Sequence, residues 1–290
     1  MILSGKTLAD EIQDEIRLQV ASFPTHPGLA VVLIGDNPSS QAYVAMKKKA
    51  CLSVGIQTFS HHLPASTSES HLLQLIATLN HDPTVDGILV QLPLPPQINP
   101  ENIVIAIDPN KDVDGFHPIN LGKLLLGHPG GFTPCTPLGI KILLERYHIP
   151  TEGQEVVIVG RSAIVGKPLA ALLMQNAPGC NATVTVVHSQ TRDLTAHALK
   201  ADILVAAIGS PLFIKKEMVK EGAVVIDVGI NRVADANKLQ GYRIVGDVDY
   251  DTVAPQCRAI TPVPKGIGPM TVAMLLQNTL LSHKRKSSLI

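Results

Sequence analysis

The sequence predicts an α/β protein of two domains built on parallel sheets, and three observations carry that expectation. First, the strand-like runs 29–34, 156–159, 203–208 and 223–228 each stop at a glycine. They are rich in Val, Ile and Leu without strict alternation, as strands buried on both faces are. Second, helical patterns separate these runs, which is the order of a doubly wound sheet. Third, Thr133-Pro134-Cys135-Thr136-Pro137 breaks the pattern near its middle and marks a domain boundary. The chain has 290 residues, 45% of them hydrophobic, enough for two medium cores.

In chain order, Leu8, Ile12 and Ile16 predict an amphipathic helix over 8–20 that Pro24 and Pro27 close. Gly5-Lys6-Thr7 imitates the end of a P-loop, but no strand and glycine loop can precede residue 5. After the strand 29–34 a helix is expected over 41–54, with Tyr43, Met46, Ala50, Cys51 and Val54 on one face. Lys47 falls one turn after Tyr43, at the edge of that stripe. Partial desolvation favours a neutral amine, which can move protons; the ordinary alternative is a stem laid on the core with its charge in water. A second strand is expected over 56–63 and a helix over 70–79. Val85 to Pro96 reads as a strand running into a proline-rich turn, with Gln91 at the strand's C-terminal end. Ligands of open α/β sheets sit beyond that end. In Asp112-Val113-Asp114 the two carboxylates would share one side of an extended segment, or simply belong to a turn. Thr136 and Pro137 suit the N-cap and first position of a helix over 138–147.

The second half opens on Glu155 to Pro168, a strand, a glycine turn at Gly160 and a helix start at Gly166. That order is the physical basis of a dinucleotide site, although Arg161 and Ser162 interrupt the G-x-G-x-x-G spacing. The loop after the next strand, 183–187, has no acid before Asp193. His188, Ser189, Arg192 and the earlier Arg161 supply donors and positive charge instead, which suits the 2′-phosphate of NADP better than a free ribose diol. The turns at Gly209 and Gly229 fall on the ligand side of the sheet, where bare backbone near Gly229 or Ile230 could meet a carboxamide. Residues 261–271 read as a rigid loop of two glycines and three prolines, and a last helix over 271–281 as packing back on the first domain.

Composition excludes other classes. Basic and acidic residues balance at 24 each, and Trp is absent with aromatics at 3%, which argues against a nucleic-acid binder. Cys51, Cys135, Cys180 and Cys257 are scattered and show no metal or redox spacing, so no metal is expected. They read as small hydrophobes or idle thiols. No signal peptide or membrane span is apparent, and a cytoplasmic location is the default. The basic stretch from His283 to Ser288 reads as a frayed, solvated tail.

Taken together, Tyr43-x-x-x-Lys47, Val90-Gln91-Leu92-Pro93-Leu94-Pro95, Lys111-Asp112-Val113-Asp114-Gly115, Pro134-Cys135-Thr136-Pro137, Gly160-Arg161-Ser162-x-x-Val165-Gly166-x-Pro168 and Pro262-Val263-Pro264 through Thr271 resemble one family. It is the bifunctional methylenetetrahydrofolate dehydrogenase/methenyltetrahydrofolate cyclohydrolases of the FolD type. The resemblance implies a catalytic, folate-binding domain over 1–137 completed by the helix 270–290, and a Rossmann-type NADP-binding domain over 138–269, with a cleft between them. It implies a tetrahydrofolate substrate, NADP as cofactor and a homodimer. By the same resemblance Lys47 transfers protons in the cyclohydrolase step, Gln91 orients it, Tyr43 packs on the folate and Asp114 holds its pterin-like end, with Asp112 supporting the loop. Pro264, Gly266, Gly268 and Pro269 would contact substrate, and Gly160, Arg161, Ser162, Ser189, Ile230 and Thr271 the cofactor. The chain departs from the family in carrying Lys265 where a second glycine is usual. A dehydrogenase without the cyclohydrolase, a non-catalytic NADP- or folate-binding module, and a relative of the amino-acid dehydrogenases are the competing readings.

Overall fold

The computed structural model describes residues 1–238 and 241–287. Its elements are α1 (Gly5–Val20), β1 (Gly28–Ile34), α2 (Pro38–Val54), β2 (Gln57–Leu63), α3 (Glu69–His81), β3 (Gly87–Val90), α4 (Pro100–Ala106), α5 (Pro118–Leu126) and α6 (Cys135–Arg146). There follow β4 (Glu155–Val159), α7 (Gly166–Leu173), β5 (Thr183–Val187), α8 (Leu194–Ala198), β6 (Ile203–Ala206), β7 (Val224–Asp227), β8 (Asn231–Ala234), β9 (Tyr242–Val245), α9 (Tyr250–Val253), β10 (Ala259–Ile260) and α10 (Ile267–Lys286). The chain forms two compact units of equal length, one of Met1–Ala9 with Thr136–Thr271, the larger only by its sheet, and one of Asp10–Cys135 with Val272–Ile290, the smaller by its sheet. Sequence alone placed residues 1–9 with the rest of the first half. In the structure Leu3 N donates to Ile260 O (2.8 Å) and Lys6 N to Lys265 O (2.9 Å), which ties this segment to the other unit.

The smaller unit holds a parallel sheet in the order β2-β1-β3. Central β1 is buried at all seven positions, as its unbroken apolar run requires. Ala30, Val32 and Ile34 pack with Leu72, Ile76 and Leu79 of α3 and with Ile88 and Ile103. The chain passes from β1 to one neighbour, β2, and returns to β3 on the other side, so the order reverses at β1. The C-terminal ends of β1 and β3 are where such sheets bind ligands.

The larger unit repeats this logic in five parallel strands, β10-β7-β6-β4-β5. β4 lies between β5 and β6, so the reversal falls beside the glycine turn that follows β4. Val157, Val159, Leu204, Ala206 and Val225 fill one face of the sheet.

Several sequence expectations are corrected. α5 and the antiparallel hairpin β8–β9 were not foreseen. Thr136 does not cap α6, which already begins at Cys135; its hydroxyl instead meets the Thr271 hydroxyl at 2.9 Å. The loop expected over 261–271 becomes helical at Ile267, so Gly268 and Pro269 lie in the first turn of α10. The tail expected to fray is helical through Lys286, while Ser288 lies outside the described residues.

Asp86 explains that last difference. One oxygen of its buried carboxylate accepts Gly28 N (2.8 Å) and His283 Nδ1 (2.9 Å), and the other receives Lys286 Nζ. Ser282 Oγ adds a bond to Asp86 O at 2.6 Å. The basic residues are therefore the anchor of α10. Replacing one partner of such a group strands the others without water. Asp86→Ala should lower the unfolding free energy by about 3 kcal/mol in urea titrations, with Lys286→Ala, at the exposed end, costing far less.

Candidate active and cofactor sites

In the smaller unit, α2 starts because Asn37 Oδ1 accepts Ser39 N (2.9 Å) and Ser40 N (3.1 Å), with Pro38 as first residue. It ends at Gly55, whose φ of 84° suits glycine. The buried face is Ser40, Val44, Cys51 and Val54. The expected stripe is thus rotated, and Met46 is 43% exposed. At about 100° per residue, Lys47 falls within the buried row between Val44 and Cys51, and Tyr43 on its edge. Hydrophobicity alone mistook Met46 for a core residue and gave no weight to Ser40, which is 4% exposed.

Lys47 Nζ reaches Gln91 Oε1 at 3.1 Å. Gln91 directly follows β3, and its N–H donates to Val32 O (2.9 Å), which fixes its backbone to β1. Its Nε2 donates to Leu92 O (2.8 Å), so the amide can turn only its oxygen to the lysine. Lys47's charge also acts on Asp114: burial pushes that carboxyl above its usual range, and Lys47 and a Cys135 hydrogen bond pull it back. Cys135 Sγ donates to Val113 O (3.3 Å) and lies 3.8 Å from Asp114 Oδ1. Asn278 of α10 donates to Val113 O (2.8 Å) and Thr133 O (3.1 Å). Lys47, Gln91, Asp114, Cys135 and Asn278 therefore form one connected cluster.

The two aspartates of the 111–115 segment do different things, because the segment is a turn and not extended. Asp112 accepts Asn120 Nδ2 (2.8 Å), His117 N (2.8 Å) and Phe116 N (3.2 Å), closing the loop in front of α5. Asp114 is left to face Lys47 and Cys135. Cys135 and Asn278 are the residues that sequence reasoning missed. The thiol was read as idle, though it lies in a motif already singled out, and an asparagine inside the apolar 272–281 stretch was itself a signal.

In the larger unit, Gly160 has φ 129° and a Cβ there would run into the Ala207 carbonyl. A Cβ on Gly166 would run into the Gly160 carbonyl. The two glycines thus let β4, the end of β6 and the start of α7 close on one another. Ser162 Oγ accepts Val165 N (3.2 Å) and Gly166 N (3.4 Å) and holds the turn. Arg161 Nη1 lies 3.4 Å from His188 Nε2. Because His188 Nδ1 accepts Gln190 N (3.2 Å), the neutral ring carries its proton on Nε2. The guanidinium and the ring then both carry N–H groups beside exposed Ser189. At the other strand ends Ile208 and Ile230 are 37% and 47% exposed. A Cβ on Gly268 would touch Ile230 Cδ1 at 3.5 Å, so the turn after β7 meets the start of α10. Gly266 is held against Pro262 O, and Thr271 donates back to Ile267 O (3.3 Å). Pro264 and Lys265 are exposed, and Lys265 takes φ 83°, a strained angle for a side-chain-bearing residue. The structure thus collects Tyr43, Lys47, Gln91 and Asp114 in one unit, and the 160–162, 189, 230 and 264–271 residues in the other.

A parallel sheet with a glycine turn at its reversal point, in one chain with a second α/β unit that holds a lysine–amide–carboxylate cluster, defines a dinucleotide-dependent enzyme. Two family models divide the chain: tetrahydrofolate dehydrogenase/cyclohydrolase, catalytic domain, over residues 3–114, and tetrahydrofolate dehydrogenase/cyclohydrolase, NAD(P)-binding domain, over 134–287. The chain belongs to this family. It is 55% identical over 290 residues to the Bifunctional protein FolD of Protochlamydia amoebophila, covering 100% of this chain and 99% of that one. The crystal structure of the bifunctional FolD enzyme of Campylobacter jejuni superposes with a TM-score of 0.92 at 48% identity, covering 98% of this chain and 99% of that one. The Trypanosoma brucei FolD, solved in complex with NADP cofactor and inhibitor, gives 0.93 at 39% identity, covering 99% and 98%.

The Asp112 cage has a pH signature. Burial outweighs its three donors and pushes the carboxyl up to about 6. The folded state therefore holds this proton more tightly than the unfolded chain, and the stabilisation, complete below the unfolded value near 3.8, is lost as pH rises toward 6. Asp112→Asn removes the titration. The stability difference between wild type and variant should shift against wild type by roughly 2 kcal/mol between pH 4 and 6.5 in urea titrations.

Proposed function

We propose that Lys47, held by Gln91, is the proton-transfer residue of an NADP-dependent methylenetetrahydrofolate dehydrogenase/methenyltetrahydrofolate cyclohydrolase. The enzyme oxidises 5,10-methylenetetrahydrofolate to the methenyl cation and hydrolyses that to 10-formyltetrahydrofolate. The observation that carries the assignment is the 3.1 Å bond from Lys47 Nζ to an amide oxygen whose own orientation is locked. Opening the cation requires water to lose a proton as it attacks and a ring nitrogen to gain one as the C–N bond breaks. One amine can serve both transfers if it is fixed at the carbon, and Gln91 supplies that fixation. Asp114 holds the pterin-like end, and Tyr43, on the edge of the same helical row, packs against it. Pro264, Gly266, Gly268 and Pro269 are also assigned to substrate.

Bound NADP⁺ supplies a hydride acceptor. The chain fits this cofactor because Gly160 and Gly166, having no Cβ, let the turn after β4 close against Ala207 and onto the start of α7, and Ser162 pre-sets that turn. Arg161, His188 and Ser189 would hold the 2′-phosphate, and Ile230 and Thr271 the nicotinamide end. A homodimer is supported by β5, an edge strand whose Val184, Thr185 and Val186 are only half-buried, an open row for a second copy. Four free thiols suit the reducing cytoplasm.

Lys47→Met should abolish opening of methenyltetrahydrofolate while NADP⁺ still binds; wild-type cyclohydrolase rates in that variant would remove Lys47 from the mechanism. Arg161→Ala should weaken NADP⁺ by about 100-fold, a charge-assisted contact or two, and NAD⁺ by little. Equal losses with both cofactors would refute the 2′-phosphate assignment.

A further inference from the structure

Two buried aspartates in the larger unit belong to neither set of residues assigned above. Asp227 ends β7 and Asp247 follows β9, and they are 3% and 0% exposed. Every bond they accept comes from the backbone or from one amide. Asp227 takes Gly229 N (2.9 Å), Asp247 N (2.9 Å) and Val248 N (3.0 Å). Asp247 takes Ile208 N (2.7 Å) and Gly209 N (2.9 Å) on one oxygen and Asn231 Nδ2 (2.8 Å) on the other. Two positions have given up their side chains to seat them: a Cβ on Gly246 would strike the Asp227 carboxylate, and one on Gly229 the Asp247 carboxylate.

The sheet itself does not need Asp247. β6 and β7 already pair from Ile203↔Val224 to Ala206↔Asp227. What Asp247 fixes lies past the last paired residue, where the chain leaves the sheet in two turns, 208–210 and 229–231. A single carboxylate grips both, one with each oxygen. Asp227 in turn grips the N–H of Asp247 and so sets the point from which that side chain starts. The two turns carry the exposed Ile208 and Ile230, on the ligand side of the parallel strands.

We propose that Asp247, seated by Asp227, is a positioning residue for hydride transfer, setting the spacing of the 208–210 and 229–231 turns against which the nicotinamide end of NADP⁺ lies. This rests on the cofactor assignment made above. Asp247 touches neither substrate nor cofactor and acts through the backbone of one turn and the Asn231 side chain of the other. Hydride donor and acceptor must meet nearly in contact, so a small change in that spacing acts on kcat more than on affinity.

The two reactions of one enzyme provide the test. Asp247→Asn and Asn231→Ala would be assayed for dehydrogenase, for cyclohydrolase with methenyltetrahydrofolate alone, for NADP⁺ dissociation constant and for melting temperature. In Asp247→Asn an NH₂ replaces one acceptor oxygen and opposes the donors around it. Its dehydrogenase kcat should fall roughly 10- to 100-fold, the scale of a misplacement near 1 Å. Cyclohydrolase rate and NADP⁺ affinity should stay within about threefold, because the 2′-phosphate grip is untouched, and the deuterium isotope effect on kcat should rise. Asn231→Ala releases only one turn and should show the same split with a smaller loss, which keeps the proposal testable if Asp247→Asn does not fold. An unchanged dehydrogenase kcat in Asn231→Ala, or both activities falling together with the melting temperature, would overturn it. Failure of the cofactor assignment is read separately, as wild-type NADP⁺ affinity in Arg161→Ala.

Discussion

A carboxylate taken out of water needs donors, and in this chain most of the donors are backbone amides of the loops. Asp86, Asp112, Asp227 and Asp247 are each no more than 3% exposed. Asp86 joins the start of β1 to the end of α10, Asp112 closes the turn before α5, and Asp227 with Asp247 binds the turns after β6 and β7. Each would be costly alone, since an ionised group loses its hydration on burial. Each is tolerable because it takes two or more N–H groups that would otherwise also lack partners. The cost and the benefit fall on the same loops. Parallel strands are secured by their own ladders, whereas the segments beyond them, where chemistry occurs, have no ladder to hold them.

The two units use the same topology to place different chemistry. In each, a central strand is followed by a neighbour on one side and then by a strand on the other, β1 with β2 and β3, β4 with β5 and β6. The connections leave a gap at the C-terminal end of the central strand. In the smaller unit, α2 after β1 carries Lys47, and the residue after β3 is Gln91, so both partners of the 3.1 Å bond arise from the reversal. In the larger unit the same place holds Gly160 and the start of α7. Helix and amide bring side chains to one crevice; bare backbone is what the other offers.

How much of this was legible in the sequence depends on the range of the interaction. β1, β4, β6 and β7 announce themselves because burial on both faces demands an unbroken apolar run. The hairpin β8–β9 does not, since its alternating burial falls on residues as polar as Asn231 and Arg232. Lys47 was found, yet at the edge of its stripe instead of within it: periodicity gives the period, but the phase depends on the sheet that the helix meets. α10 was cut short because its basic end looks solvated, and only Asp86, almost 200 residues earlier in the chain, reveals otherwise. Gln91, Asp114, Arg161 and Ser162 could be named because they lie in short motifs. Asp227 and Asp247 could not, because their partners lie in other turns.

The glycine turn shows why spacing is a weaker guide than contact. The segment from Gly160 to Gly166 lacks the usual triplet of glycines, and counting alone would discard it. Yet each glycine that remains stands where a side chain is impossible: Gly160 against the Ala207 carbonyl, Gly166 against the carbonyl of Gly160. The positions taken by Arg161 and Ser162 are under no such pressure. They are free to carry a guanidinium and a hydroxyl, and the hydroxyl is spent on the turn itself, at Val165 N and Gly166 N. A dinucleotide turn needs two things, room for the backbone to close and N–H groups left pointing outward. The first is met here by two glycines. Where the familiar pattern would put its second glycine this chain has Ser162, and next to it a guanidinium 3.4 Å from a histidine whose proton is held on the facing nitrogen.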